Sequence, residues 1–204
     1  MSFIRDVLLT TLLFAAAFEP AQLQRGAVGS IPYGTAAAGV ASVDVGVNER
    51  GRVTDVKTIQ DLEPFTDVLR QSVQGWTFQP ARENGRAVPT RILVAGLFRP
   101  AMLLFPAPDS LASPPPDSES AVPVPTSVDV PPYPPNAVGS VTVLVEVTVT
   151  ESGAVAGARI VGETSGFDDA ALSAARSWAF RPASRGGSPV EARAYLIFVF
   201  RQPN

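Results

Sequence analysis

The feature that most constrains this chain is that it repeats itself. Trp76 and Trp178 lie 102 positions apart, and at that offset the sequence stays in register without a gap from Pro32/Pro134 to Arg99/Arg201. The coincidences include Val43/Val145, Val45/Val147, Val47/Val149, Gly51/Gly153, Val53/Val155, Phe65/Phe167 and Asp67/Asp169. They continue through Phe78/Phe180, Pro80/Pro182, Ala81/Ala183, Gly85/Gly187, Val88/Val190, Arg91/Arg193 and Phe98/Phe200. Aromatic and turn residues that set a folding pattern do not coincide so often by chance. A module of about seventy residues therefore occurs twice, over 31–100 and 133–204.

Periodicity gives each module its elements. In the second, Val141, Val143, Val145, Val147 and Val149 alternate with Thr142, Leu144, Glu146, Thr148 and Thr150. Strict alternation of β-branched residues is the pattern of a strand with one buried face. Gly153 permits a hairpin return along Ala154–Gly162. Phe167, Ala171, Ala174, Ala175 and Trp178 then fall on one stripe of a helix, and Pro182 closes it. Gly186–Gly187 makes a turn, and Val190–Arg201 reads as a last strand. The first module repeats the order with Val43–Val47, Val53–Ile59, Phe65–Trp76 and Val88–Phe98. The expected class is α+β: two small β-β-α-β modules, each one helix on a three-stranded antiparallel sheet.

The rest of the chain differs in kind. Pro106–Pro135 holds eleven of the twenty prolines. Such a stretch favours extended polyproline II and cannot donate ladder hydrogen bonds at its prolines, so 101–132 is expected to be a linker. At the start, Arg5 precedes the apolar run Val7–Phe18, with small residues at its end and Pro20 after it. That reads as an export signal, or as a short apolar helix within 1–22 that docks on the body. Twelve helical residues rise about 18 Å against a hydrocarbon core of about 30 Å, too short to span a membrane.

Composition narrows the chemistry. The chain has 204 residues, no cysteine and no histidine. That excludes disulfides, thiolate nucleophiles, the usual zinc ligands and histidine-based catalytic pairs. Sixteen cations against nineteen anions leave no basic footprint for nucleic acid. Gly162–Gly166 does not have the Gly-x-Ser-x-Gly spacing of a nucleophile elbow, and no phosphate-cradling glycine loop occurs. No catalytic residue, cofactor or metal is expected. Trp76 and Trp178 read as core anchors, and Asp168 and Asp169 as acids placed at a helix start. Arg91 and Arg193 read as exposed cations that discourage aggregation of a last-strand edge, with steering of an acidic partner as the alternative.

The tracts Tyr133–Pro134, Glu151-Ser152-Gly153-Ala154-Val155, Ser165-Gly166-Phe167-Asp168 and Trp178-Ala179-Phe180-Arg181-Pro182-Ala183 resemble the C-terminal domain of the TonB family of energy transducers. The first module keeps Trp76-Thr77-Phe78-Gln79-Pro80-Ala81 but has Leu62-Glu63-Pro64 where the second has Thr164-Ser165-Gly166. The resemblance implies a non-enzymatic periplasmic protein that grips extended segments of outer-membrane and other envelope transport proteins. The grip it implies is strand addition on the last strand, here Val190, Ala192, Arg193, Ala194, Tyr195, Leu196 and Phe198. Here the proline-rich stretch separates two copies rather than an anchor from a domain, so binding carries over more directly than coupling to a proton-driven motor, which the sequence leaves open. The alternative is a structural or assembly protein whose modules pair edge to edge, within the chain or as a homodimer. Membrane association through the N-terminus stays open.

Overall fold

The computed structural model describes residues 18–32, 37–98, 120–163 and 165–202. The first half runs β1 (Phe18–Glu19), β2 (Gln22–Arg25), β3 (Gly39–Val47), β4 (Val53–Gln60), α1 (Phe65–Gln74), β5 (Thr77–Gln79), β6 (Ala81–Glu83), β7 (Arg86–Val88) and β8 (Thr90–Phe98). The second half runs β9 (Val124–Ser127), β10 (Val141–Val149), β11 (Val155–Val161), α2 (Asp168–Ser177), β12 (Ala179–Arg181), β13 (Ala183–Arg185), β14 (Ser188–Val190) and β15 (Ala192–Phe200).

The alternating valines form the hairpins β3–β4 and β10–β11. Their turns need glycine for a specific reason. Gly51 and Gly153 adopt φ of 72° and 84°, and their carbonyls accept the backbone N–H of Phe78 and Phe180 at 2.8 and 2.9 Å. A Cβ at either glycine would overlap the carbonyl oxygen of that same phenylalanine. Each helix then lies on its own hairpin and last strand. α1 buries Phe65, Leu69 and Val73 at i, i+4 and i+8, while α2 buries Ala171, Ala174 and Ala175. The small α2 side chains leave room for large neighbours: Trp178 meets Phe198 edge to face at 5.8 Å, and Phe167 lies 4.9 Å from Phe200.

Each half keeps the expected order of one helix on three antiparallel strands. The sheets, however, are not separate. One six-stranded sheet runs β11-β10-β15-β8-β3-β4, antiparallel throughout except at its centre. There β15 and β8 pair in parallel, from Ala194 opposite Leu93 to Phe198 opposite Leu97. That register has a geometric consequence. Successive residues of a strand face opposite sides, so residues level with each other share a side. Leu93 is level with Ala194 rather than with its repeat equivalent Tyr195, and so equivalent residues point to opposite faces. α1 and α2 accordingly cover opposite faces of the sheet.

Each half thereby lends residues to the core of the other. Around α1, Val43, Val45, Ile92 and Val94 pack with Leu144, Tyr195 and Ile197 from the second half. Around α2, Val145, Val147, Leu196 and Phe198 pack with Val40, Leu93, Ala95 and Leu97 from the first. Tyr195 sits between Trp76 and Phe78, its ring 5.9 and 6.0 Å from theirs.

The linker expectation is corrected at its C-terminal end. β9 pairs antiparallel with β12, and Val122 and Val124 are buried at 0% and 3% exposure. Pro125 is tolerated because this strand pairs on one side only, where a missing N–H need not break a ladder. Residues 120–132 are thus an arm of the second half, while 101–119 lie outside the described residues. The first half has the same arm. β2 pairs with β5, and Phe18–Glu19 pair with β6. The expected N-terminal apolar segment over 1–22 therefore ends in strand β1 and the start of the arm, and its residues 1–17 lie outside the described residues.

Candidate functional site

The seven residues that the resemblance marks as an exposed edge are not at an edge in this structure. Ala194, Tyr195, Leu196 and Phe198 pair with β10 on one side and β8 on the other, and all four are at most 1% exposed. Ala192 and Arg193 pair with Val149 and Thr148. Val190 ends β14 opposite Ala183. The physical reason is economy of hydrogen bonding: two last strands, each with an open row of backbone groups and an apolar outer face, satisfy each other.

Arg193 is likewise drawn inward rather than displayed. Its Nε lies 3.3 Å from Glu146 Oε1, an ion-pair contact outside hydrogen-bond geometry, and its Nη1 donates to the carbonyl of Ala21 at 3.3 Å. Glu146 is 6% exposed, yet it is well provided for. Arg159 donates to both its oxygens at 3.0 and 2.7 Å, and the Tyr195 hydroxyl donates at 2.8 Å. The same hydroxyl accepts the backbone N–H of Leu23 at 2.8 Å. Burial, reinforced by the Glu146 charge, pushes the Tyr195 phenol well above its ordinary value. This network fixes the first arm over the second half.

The repeat-equivalent positions in the first half hold a simpler network. Asp44, Lys57, Leu93 and Arg91 stand where Glu146, Arg159, Tyr195 and Arg193 stand in the second. Arg91 Nε donates to both oxygens of Asp44 at 2.7 Å, and its Nη2 reaches Asp55 at 3.0 Å. Burial raises the Asp44 carboxyl despite that bond, whereas the Arg91 hydrogen bond holds exposed Asp55 below its ordinary value. Both networks brace sheet faces, and Arg91 and Arg193 also line a cleft of about 200 Å³ together with Ala21, Arg185 and Glu191.

The sheet ends at β4 and β11, and these two outer strands differ. β4 carries Asp55 and Lys57, and its register to β3 shifts twice, between Ser42 and Val43 and between Gly46 and Val47. Charges and bulges both blunt an edge against added strands. β11 keeps an even register from Leu144/Val161 to Thr148/Gly157 and shifts once, between Thr148 and Val149, where β4 has the second of its two shifts. Its one charge, Arg159, is engaged with Glu146, and Ala156 and Gly157 beside it are small and exposed. A cleft of about 360 Å³ adjoins its C-terminal end, between Ala27–Val28 of the first arm and Leu144, Ile160 and Val161. Of the two outer strands, β11 has the fewer charges and the fewer register shifts.

Trp76 and Trp178 are each 2% exposed, and besides packing they hold the arms. The Trp76 indole N–H donates to the Ala27 carbonyl at 2.9 Å, and that of Trp178 to the Asp129 carbonyl at 3.0 Å. Asp168 stands in the first turn of α2 and accepts from the N–H and hydroxyl of Ser165, each at 2.9 Å. The alternation pattern alone assigned Leu144 and Tyr195 no function. The clue was their apolar bulk on a sheet face otherwise read as wet.

The two halves share one sheet with a helix on each face and outer strands at β4 and β11. Sequence comparison places this fold in a family. The model of the family described as Gram-negative bacterial TonB protein C-terminal matches residues 35–100 and again 129–201, and the chain belongs to that family as a tandem duplication. A comparison with curated proteins finds no match. Membership supports an envelope-associated interaction role of the non-enzymatic kind, with outer-membrane proteins as the kind of partner. Among the described residues no helix is long and apolar enough to cross a membrane.

Proposed function

We propose that this chain is an exported, periplasmic interaction protein that takes up an extended segment of an outer-membrane or other envelope transport protein by strand addition on β11. The observation that carries the proposal is the place of β11 at the end of the sheet, in even register with β10 from Leu144/Val161 to Thr148/Gly157 and with no further strand paired outside it among the described residues. An arriving segment satisfies that open backbone row, and its side chains alternate over the α2 face and the opposite face. The last strand that serves this purpose in the resemblance is closed here by β8, so the docking edge moves outward by two strands.

The test uses peptides from receptor N-terminal segments titrated into the full chain by calorimetry. Proline is placed in turn at Gly157 and Ala158, which lie in regular register opposite Thr148 and Val147. Adjacent backbone N–H groups point to opposite sides of a strand, so one variant loses an inward bond and stability, and the other loses only the outward donor. The second variant should stay folded and lose peptide binding. Undiminished binding in that variant removes β11 as the edge. Sequencing the N-terminus of the protein recovered from the periplasm tests export, which predicts cleavage after the apolar run.

The β8–β15 seam favours a second reading, a structural protein whose modules pair edge to edge. Concentration-dependent self-association abolished by the same proline, with no response to peptides, would support it.

A further inference from the structure

We infer that the groove beside the post-helix strand of each half is a second peptide-binding site, built to take an extended, proline-tolerant segment through its backbone. The repeat supplies an internal control. Gln22, Leu23 and Arg25 pair with Gln79, Phe78 and Thr77, while Val124, Pro125 and Ser127 pair with Arg181, Phe180 and Ala179. Every one of these pairings, and each bond from a tryptophan N–H to an arm carbonyl, recurs 102 positions later. Yet Gln22–Gly29 and Val124–Pro131 agree only at Val28 and Val130. Two unlike sequences thus occupy equivalent grooves in one register.

What the arms share defines what the groove reads. Ala21 and Leu23 are buried in one, Pro123 and Pro125 in the other, two positions apart as an extended chain requires. Four residues after the second of these lies the carbonyl that the indole N–H holds. The ligand chemistry is therefore an extended segment with two apolar residues separated by one, followed four positions on by an accessible carbonyl. Proline is admitted at both apolar positions, since Pro123 and Pro125 occupy them. An aromatic N–H beside an apolar slot is an established way to recognise proline-bearing extended chains. The partner that fits is a proline-containing extended segment of another envelope protein, which replaces the arm held in cis. This goes beyond docking on β11, from which the grooves are separate.

The test lifts one arm and offers the groove both sequences. Pro125→Asp places a charge in the slot of the second groove, and the Trp76 fluorescence of the Pro125→Asp chain reports whether the body stays folded; if it does not, Pro125→Ser takes its place. Peptides spanning residues 18–29 and 120–132 are titrated into the full-length variant. Both should bind saturably, with dissociation constants within about tenfold of each other. Adding Trp178→Phe should weaken both by about fivefold to tenfold, the worth of one hydrogen bond. Proline in β11 should leave both unchanged, which separates this site from the outer edge. Binding of the 120–132 peptide alone, or of neither to a folded chain, overturns the inference.

Discussion

The hydroxyl of Tyr195 donates to Glu146 at 2.8 Å while accepting the backbone N–H of Leu23 at 2.8 Å. One side chain on the central seam thus ties a buried carboxylate of the second half to the arm of the first. The halves are joined through polar bonds as well as through the parallel strand pair, and the joint occupies the edge that a lone module would leave open.

The Tyr195 bond predicts an alkaline limit to stability. Its phenol is held above its ordinary value, so stability is fully present below pH about 10. Above that, the unfolded chain gives up a proton that the folded chain keeps, and stability falls as pH rises. Tyr195→Phe should cost about 1–3 kcal/mol near neutrality, because Leu23 N–H and Glu146 both lose a partner. It should also flatten this tyrosine's contribution to the alkaline slope. Chemical denaturation from pH 8 to 11 on both chains checks it; an unchanged slope would contradict it.

The first-half network predicts opposed acid responses. Asp55 lies below its ordinary value, so its contribution is present above pH about 4 and is lost as the pH falls through the folded value. Asp44 lies above its ordinary value, so protonation favours the fold and acidification regains what its buried charge costs. Asp55→Asn should therefore cost under about 1 kcal/mol at pH 7, since the pair is exposed. Arg91→Ala should cost more, about 2–3 kcal/mol, because half-buried Asp44 is left unpaired. Denaturant midpoints at pH 7 and pH 3 distinguish the two.

The exchange of core residues predicts that the halves melt together. Leu93 belongs to the first half but packs in the core around α2. Leu93→Ala should lower stability by about 3 kcal/mol. In Trp76→Phe and Trp178→Phe backgrounds, the remaining tryptophan of either half should report the same lowered midpoint. A Trp178 transition indifferent to Leu93→Ala would show two independent modules.

The arm over 120–132 predicts stability effects that a spacer would not have. Val122 is fully buried, and Val122→Ala should cost about 1–2 kcal/mol by thermal melting. A substitution without effect would return the segment to linker status.

Much of this architecture was legible in the sequence, because it depends on side-chain pattern. Val43/Val145, Gly51/Gly153 and Trp76/Trp178 mark strand, turn and helix end in each half, and they do so at one offset. The arms were not legible, since Leu23/Pro125 and Ala27/Asp129 do the same work with unlike side chains; backbone groups make the bonds. That the last strand is not an edge of the sheet was hidden for a related reason. Alternation in Ala194–Phe198 says that a strand has two faces, but nothing in it says which neighbour lies on either side. The one clue was the grouping of Leu144, Tyr195 and Ile197 on the face away from α2. Three large apolar residues there need a cover, and the first half supplies it.

The central claim is that β15 is an inner strand and β11 an outer one. In an inner strand every backbone N–H is bonded to one neighbour or the other, whereas in an outer strand alternate N–H groups face water. Residue-resolved amide exchange on the full chain reads this directly. Ala194 through Phe198 should all exchange slowly, and Gly157 through Val161 should alternate between slow and fast. Alternation along Ala194–Phe198 would place the last strand back at an edge and contradict the account.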